Sequence, residues 1–305
     1  MAAWTPLGLL LEPPRAGPWS RTHAALPTPL ARADGDYDLF FSSRDDRNRA
    51  SIGRALLRAN DGRLEVREID ALPVLGPGRL GAFDDCGVTV SHAVRNGERT
   101  LLYYTGWTQA VSVPFLLASG LAIDEGDGFR RLSDAPMLDR IPVDPYLNAS
   151  PFVLRDGDLW RMWYVSATGW EPLGDAARHS YHIKYAESRD GVAWQRDGLV
   201  AVDYRDEREY ALARPWVLRG DGGGYEMWFS ARGSAYRLGY ASSQDGLTWH
   251  RSPPPADIAP SDSGWNAEMV AYPALLHHEG HRFLLYNGAG YGRDGIGYAV
   301  WNGAS

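Results

Sequence analysis

Residues Pro151 to Trp194 read PFVLRDGDLWRMWYVSATGWEPLGDAARHSYHIKYAESRDGVAW. A short apolar run, Pro151 to Arg155, meets a turn at Asp156-Gly157-Asp158. A second run, Leu159 to Val165, carries Met162-Trp163-Tyr164, and a third holds Ile183-Lys184-Tyr185-Ala186 before Ser188-Arg189-Asp190-Gly191 and Trp194. The same order returns as Pro215-Trp216-Val217-Leu218-Arg219, Met227-Trp228-Phe229, Gly239-Tyr240-Ala241, Ser243-Gln244-Asp245-Gly246 and Trp249. These are two copies of one unit.

Working outward, the aromatic doublet of the second run recurs as Phe40-Phe41, Tyr103-Tyr104, Trp163-Tyr164, Trp228-Phe229 and, with one member changed, Leu285-Tyr286. The third run's small-residue step recurs at Gly53, Gly120, Lys184, Gly239 and Gly297, a period of 55 to 67 residues. A period of that size, built from short runs of Val, Leu, Trp and Tyr between Gly/Asp turns, predicts repeated four-stranded antiparallel sheets. Packed radially, such sheets make a propeller. The alternative, a two-sheet sandwich, would not place an aromatic doublet at the same point five times. The sequence therefore predicts an all-β, single-domain five-bladed β-propeller over residues 1–305.

The N-terminus fits the same scheme. Trp4, Gly8, Leu9, Leu10 and Leu11 repeat the spacing of Trp194, Gly198, Leu199, Val200 and Ala201, while the last repeat stops after Ala299-Val300-Trp301 without a fourth strand. The first strand is expected to complete the last blade and close the ring, removing an exposed sheet edge.

Composition narrows the function. A net charge of -7 without any basic run argues against a nucleic-acid surface. Leu7 to Leu11 is too short to cross a membrane and lacks the preceding basic residue of a signal peptide, and the single cysteine, Cys86, excludes an internal disulfide. A cytoplasmic protein without membrane contact is the default.

Antiparallel order places the start of each first strand and the end of each second strand on one face. Residues there that do not repeat are site candidates: His23, Arg44, Asp84, Asp85, Trp107, Asn148, Trp170, Glu209, Arg214, Arg232, Glu268, Tyr272 and Asn287. His23, Arg44, Arg214 and Arg232 can converge on a carboxylate or phosphate. Two louder patterns carry less. His277-His278-Glu279-Gly280-His281 falls on a predicted hairpin at the opposite face and lacks the helix that metal spacing needs. Gly288, Gly290, Gly292 and Gly295 precede no helix and read as the loop between the second and third strands. No metal and no cofactor are expected.

The blade pattern, with MWYVS (Met162 to Ser166), MWFSARG (Met227 to Gly233), YASSQDGLTW (Tyr240 to Trp249) and YNGAGYGRDGIGYA (Tyr286 to Ala299), resembles the five-bladed propeller glycoside hydrolases. That group includes arabinanases, xylosidases, invertases, levansucrases and mannoside phosphorylases. The resemblance implies a small or terminal sugar as ligand, and cleavage by one carboxylic acid that protonates the leaving oxygen and a second carboxylate. Asp85, Glu209 and Glu268 are the candidate acids, each preceding a first strand, with Asp84 as a substitute for Asp85. Trp107 and Trp170 would stack on sugar faces, with His23 and Asn287 bonding hydroxyls. Where much of the group places a carboxylate before the proline of the third blade, this chain has Ser150 before Pro151; Glu209 stands six residues before Pro215, and His23 takes the place of an aspartate in the first blade. The family's acids therefore cannot be copied across, and a non-catalytic carbohydrate-binding propeller is the competing expectation.

Overall fold

The computed structural model describes residues 3–174, 176–220 and 222–303. Strand β1 (Trp4–Leu11) precedes a meander of β2 (Thr22–Ala31), β3 (Tyr37–Arg44), β4 (Ala50–Asn60) and β5 (Arg63–Ile69). A second meander is β6 (Gly87–Asn96), β7 (Arg99–Gln109), β8 (Phe115–Asp124) and β9 (Phe129–Arg131). The third is β10 (Asn148–Asp156), β11 (Leu159–Leu173), β12 (Ala176–Ser188) and β13 (Val200–Val202), and the fourth is β14 (Ala211–Arg219), β15 (Tyr225–Arg232), β16 (Tyr236–Ser243) and β17 (His250–Ser252). The last comprises β18 (Ala271–His278), β19 (His281–Asn287) and β20 (Ile296–Trp301), with β1 paired antiparallel to β20 so that Trp4 faces Trp301 and Leu11 faces Ile296. The chain is all-β, as its alternating runs require.

The five opening strands pack on one another in sequence. β2 lies against β6, β6 against β10, β10 against β14, β14 against β18, and β18 against β2. The aromatic doublets fill the space between sheets: Phe41, Tyr103, Tyr104, Trp163, Tyr164, Trp228, Phe229 and Tyr286 are all buried. Truncating one such Trp to Ala costs about 3–5 kcal/mol. The small third-run residues exist for these rings. A Cβ on Gly120 would stand 2.3 Å from the ring of Tyr104, and one on Gly239 would stand 2.4 Å from that of Phe229.

The repeated Ser-x-Asp-Gly turn has an equally physical reason. Asp190 Oδ1 accepts the N–H groups of Val192 and Ala193 at 2.8 Å each, and Asp245 Oδ1 does the same for Leu247 and Thr248. The turn thereby presents a glycine carbonyl to the neighbouring sheet. Tyr103 donates to Gly191 O at 2.7 Å, and Trp163 Nε1 donates to Gly246 O at 3.0 Å. One local motif thus hydrogen-bonds a buried aromatic of the preceding unit, which is why doublet and turn recur together.

His92, on β6, is buried between Phe152 and Trp216, with ring centroids 4.0 and 5.5 Å away. Burial, reinforced by Arg214, lowers its pKa to about 3. The folded state therefore keeps His92 neutral, while the unfolded chain takes up a proton near pH 6.5. Its contribution is complete above pH 6.5 and falls as pH drops toward 3, by roughly 1.4 kcal/mol per pH unit. Denaturant unfolding of the wild type and of His92→Phe between pH 7 and 4 should give a shallower pH slope for the variant. Equal slopes would reject a neutral buried imidazole.

Candidate functional site

A cavity of about 450 Å³ opens at the face where first strands begin and second strands end. Its wall takes His23 and Leu26 from β2, Arg44 from β3, Thr89 from β6, Thr105 and Trp107 from β7, Phe115 from β8, and Ser150 from β10. His179 and Tyr181 of β12, Arg232 of β15, Tyr236 of β16, Tyr272 of β18 and Tyr291 complete it. No Asp or Glu among the described residues lines it.

The floor is shaped by strained backbone. In four of the opening strands the residue before a proline has left-handed φ: Leu26 at 59°, Ser150 at 49°, Arg214 at 56° and Tyr272 at 59°. This conformation is disfavoured for a side chain with a Cβ and persists only where neighbours enforce it. Here three of the four N–H groups are caught by the polar residue that follows the preceding unit's doublet. Leu26 N donates to Asn287 Oδ1 (2.8 Å), Ser150 N to Thr105 Oγ1 (2.8 Å) and Tyr272 N to Ser230 Oγ (2.7 Å). Each of these strands is irregular at that point, the bulge splitting Ala149 from Phe152, Ala213 from Trp216 and Ala271 from Ala274. Ser150 is where the resemblance calls for an acid. The equivalent positions hold Leu, Arg and Tyr.

Charge in the cavity is therefore one-sided. Arg44 donates to Asn48 Oδ1 at 2.8 Å, and the Arg232 guanidinium lies over the rings of Tyr236, Tyr210 and Tyr291 at 5.2, 5.5 and 5.8 Å. Among the described residues neither arginine pairs with a carboxylate. Burial first, and then Arg44, lowers the pKa of His23 to about 4; burial and Arg232 do the same for His179. Both imidazoles are neutral hydrogen-bonding groups near pH 7, so His23 suits a hydroxyl rather than adding a charge to the arginines. Tyr181 and Tyr236 share a hydrogen bond at 2.5 Å, and burial raises Tyr181 to about 12. The cavity offers two positive charges, hydroxyls and aromatic faces.

No family model matches the chain. It is 44% identical over 299 residues to the uncharacterized protein Rv1502 of Mycobacterium tuberculosis, covering 98% of this chain and 99% of that one. The chain belongs to the Rv1502 family. Solved structures similar to this Rv1502 relative include one described as a glycoside hydrolase, with TM-score 0.73 at 19% identity over 96% of this chain and 90% of that one. A glycosyl hydrolase from Bacteroides ovatus gives TM-score 0.69 at 13% identity over 96% of this chain and 93% of that one. A thermostable family-43 glycoside hydrolase gives 0.65 at 17% identity over 92% of this chain and 89% of that one. At such identities the likeness establishes the fold, that of the propeller glycoside hydrolases, as the sequence resemblance implied.

Of the residues singled out in the sequence, His23, Arg44, Trp107, Arg232 and Tyr272 meet in the cavity. The candidate acids do not. Asp84 is fully buried and accepts hydrogen bonds from Tyr104 (3.2 Å) and Arg131 (2.8 Å). Asp144 takes the same position one unit on, holding Tyr164, Ser166, Lys184 and Arg196. Glu209 is the third of this set, gripped by Arg251 through two bonds of 2.6 and 2.9 Å. All three acids stand 20 residues before the second aromatic of their doublet and pair with an arginine from near the outer strand, so Glu209 repeats after all. Lys184 replaces the usual glycine because its Nζ reaches Asp144 at 3.2 Å. Asp85 closes a turn by accepting Gly81 N at 3.0 Å, and Glu268 is exposed.

The remaining expectations are corrected by backbone contacts. Asn148 is spent on Ser119 N (2.9 Å) and Leu138 O (3.1 Å), and Asn287 on Leu26 N, Ala24 O and Gly295 O. Trp170 lies outside the cavity in a lateral cleft with Glu209, its ring 5.4 Å from His179 and 5.5 Å from Phe115. Arg214 is 1% exposed and reaches across the middle of the molecule. It donates to Val90 O, Ser91 O, Leu26 O, Pro27 O (2.9 Å) and Thr28 Oγ1 (2.6 Å), leaving no fork for a ligand. His179, Tyr181 and Tyr236 were missed because they begin third strands. A signal existed: 20 residues separate Tyr164 from Lys184, against ten between Phe229 and Gly239, and this insertion lengthens β11 and β12 beside the cavity.

The His277 to His281 pattern lies on the β18–β19 hairpin, where His278 pairs with His281. No group of three or more His, Cys, Asp or Glu among the described residues is placed to hold a metal. Nor is any helix of the described chain long and apolar enough to cross a membrane.

Proposed function

We propose that the protein is a single-domain, closed five-bladed propeller, with β1 as the outer strand of the last blade, that recognises a small or terminal sugar in its central cavity. The carrying observation is the wall itself: Trp107 and four tyrosines supply faces for a sugar ring, Thr89, Thr105 and Ser150 supply hydroxyl partners, and carboxylates are absent among the described residues. Sugar pockets of this mixed aromatic and polar kind are concave and largely preformed. Two-carboxylate cleavage needs acids about 5–9.5 Å apart at the scissile bond, so the wall supports recognition over that chemistry.

A second reading, glycoside hydrolysis or phosphorolysis, is favoured by one feature. The lateral cleft brings Asp203, Asp206, Glu207 and Glu209 near Trp170, whose ring packs on His179 and Phe115 of the cavity wall. A panel of aryl and natural glycosides, incubated with and without phosphate, distinguishes them. Recognition predicts saturable binding in calorimetry without product. Turnover that Glu207→Gln removes would replace this reading by the catalytic one.

A further inference from the structure

We infer that the sugar bound in the cavity carries its own anionic group, a phosphate or a carboxylate, held by Arg44 and Arg232; this rests on the carbohydrate reading above. A guanidinium partly withdrawn from water gains from a compensating charge or further acceptors. Elsewhere in this molecule these are supplied within the chain. Arg131 has Asp84, Arg196 has Asp144, Arg251 has Glu209, and the buried Arg214 has four carbonyls and a hydroxyl. Among the described residues Arg44 has one amide oxygen, and Arg232 ring faces alone. Both line the same cavity, and no carboxylate among the described residues lines it with them.

The aromatic surround fixes what kind of anion fits. The Arg232 guanidinium lies over the rings of Tyr236, Tyr210 and Tyr291, and no acceptor among the described residues takes its N–H groups, which leaves them for a planar or tetrahedral oxyanion that guanidinium recognises through paired bonds. Thr89, Thr105, Ser150 and Trp107 are left for the uncharged body of the ligand. A bare phosphate would engage the arginines and leave this remaining wall unused. Uronates and sugar monophosphates match both halves.

The test is isothermal titration calorimetry with neutral hexoses and pentoses, their uronates, their monophosphates, and inorganic phosphate. We expect some anionic sugars to bind at least tenfold tighter than their neutral parents and than inorganic phosphate, with affinity falling as salt rises. Arg232→Ala and Arg44→Ala should each erase at least tenfold of that preference, while Arg232→Lys recovers it only in part. Thermal melts of the variants, expected to stay near wild type because both side chains are partly exposed, separate lost binding from lost folding; the salt dependence of the wild type tests the charge without any variant. Neutral sugars bound as tightly as their anionic forms would overturn the inference and leave the carbohydrate reading standing. Inorganic phosphate bound as tightly as any sugar anion would overturn the sugar half of it, and with it that reading, while the anion site remained.

Discussion

Replacing Arg214 by alanine lowers the stability of the ligand-free protein by about 4 kcal/mol or more. The side chain leaves β14 in the fourth meander and ends among carbonyls of β2 and β6 in the first and second, so one residue ties three meanders together. Burial pushes its pKa down to about 9, so it remains charged at neutral pH. Without it, the buried acceptors of Val90, Ser91, Pro27 and Thr28 lose this donor, each loss worth about 1–3 kcal/mol where water cannot enter, while Leu26 O keeps the Thr28 hydroxyl. A cavity of guanidinium size adds to the cost. Arg214→Lys keeps the charge on a single point and cannot span five acceptors, so it should recover only part of the loss. Urea unfolding without any ligand checks this. A midpoint unchanged by Arg214→Ala would refute the axial tie.

The other large effect is expected at the N-terminus. A chain starting after Leu11 should lose roughly 5 kcal/mol or more and melt about 10 °C lower, given a shift of about 2–4 °C per kcal/mol for domains approaching this size. Trp4 is 6% exposed and packs edge-on against Trp228 and Trp301, with centroids 6.0 and 5.1 Å away, and Leu11 is equally buried. Deletion removes those contacts and also bares the edge of β20 to solvent and to other chains. Trp4→Ala, which keeps the strand, should cost about 3–5 kcal/mol, and the difference between the two variants measures the strand pairing itself. Aggregation of the truncated chain on heating, with wild type remaining clear, would be the accompanying sign of an open edge. A truncated protein that melts with wild type would show that β1 is dispensable.

The arginines mark where reading by residue type stops being sufficient. Arg44 and Arg232 end second strands and Arg214 lies near the start of a first strand, so antiparallel order puts all three at one face. Arg44 and Arg232 do face the cavity; Arg214 shares its left-handed φ with Leu26, Ser150 and Tyr272 of the cavity wall, and its side chain is instead taken up by the acceptors of Val90, Ser91, Leu26, Pro27 and Thr28. Glu209 failed for a different reason. Its partner Arg251 lies 42 residues later, and no local pattern announces the pair, although the shared 20-residue offset of Asp84, Asp144 and Glu209 from their doublets was present in the sequence.

The features that repeat locally are legible along the chain. Strand alternation, Asp-Gly turns, the aromatic doublets and the Ser-x-Asp-Gly turns are local, and each repeat meets the same neighbour in the same way, so five imperfect copies reinforce one reading. The sequence also shows which strand ends share a face, and so places His23, Arg44, Trp107, Arg232 and Tyr272 at the cavity. Which polar groups are already satisfied is settled by contacts between distant segments. Whether Asp84, Asn148, Asn287 or Arg214 is free for a ligand depends on atoms up to 263 residues distant, and a buried hydrogen bond to any of them removes it from the site. The wall without carboxylates among the described residues is of that kind: pairing within each repeat, Asp84 with Arg131 and Glu209 with Arg251, turns two of the acids into scaffold, while Asp85 closes a turn and Glu268 stays exposed.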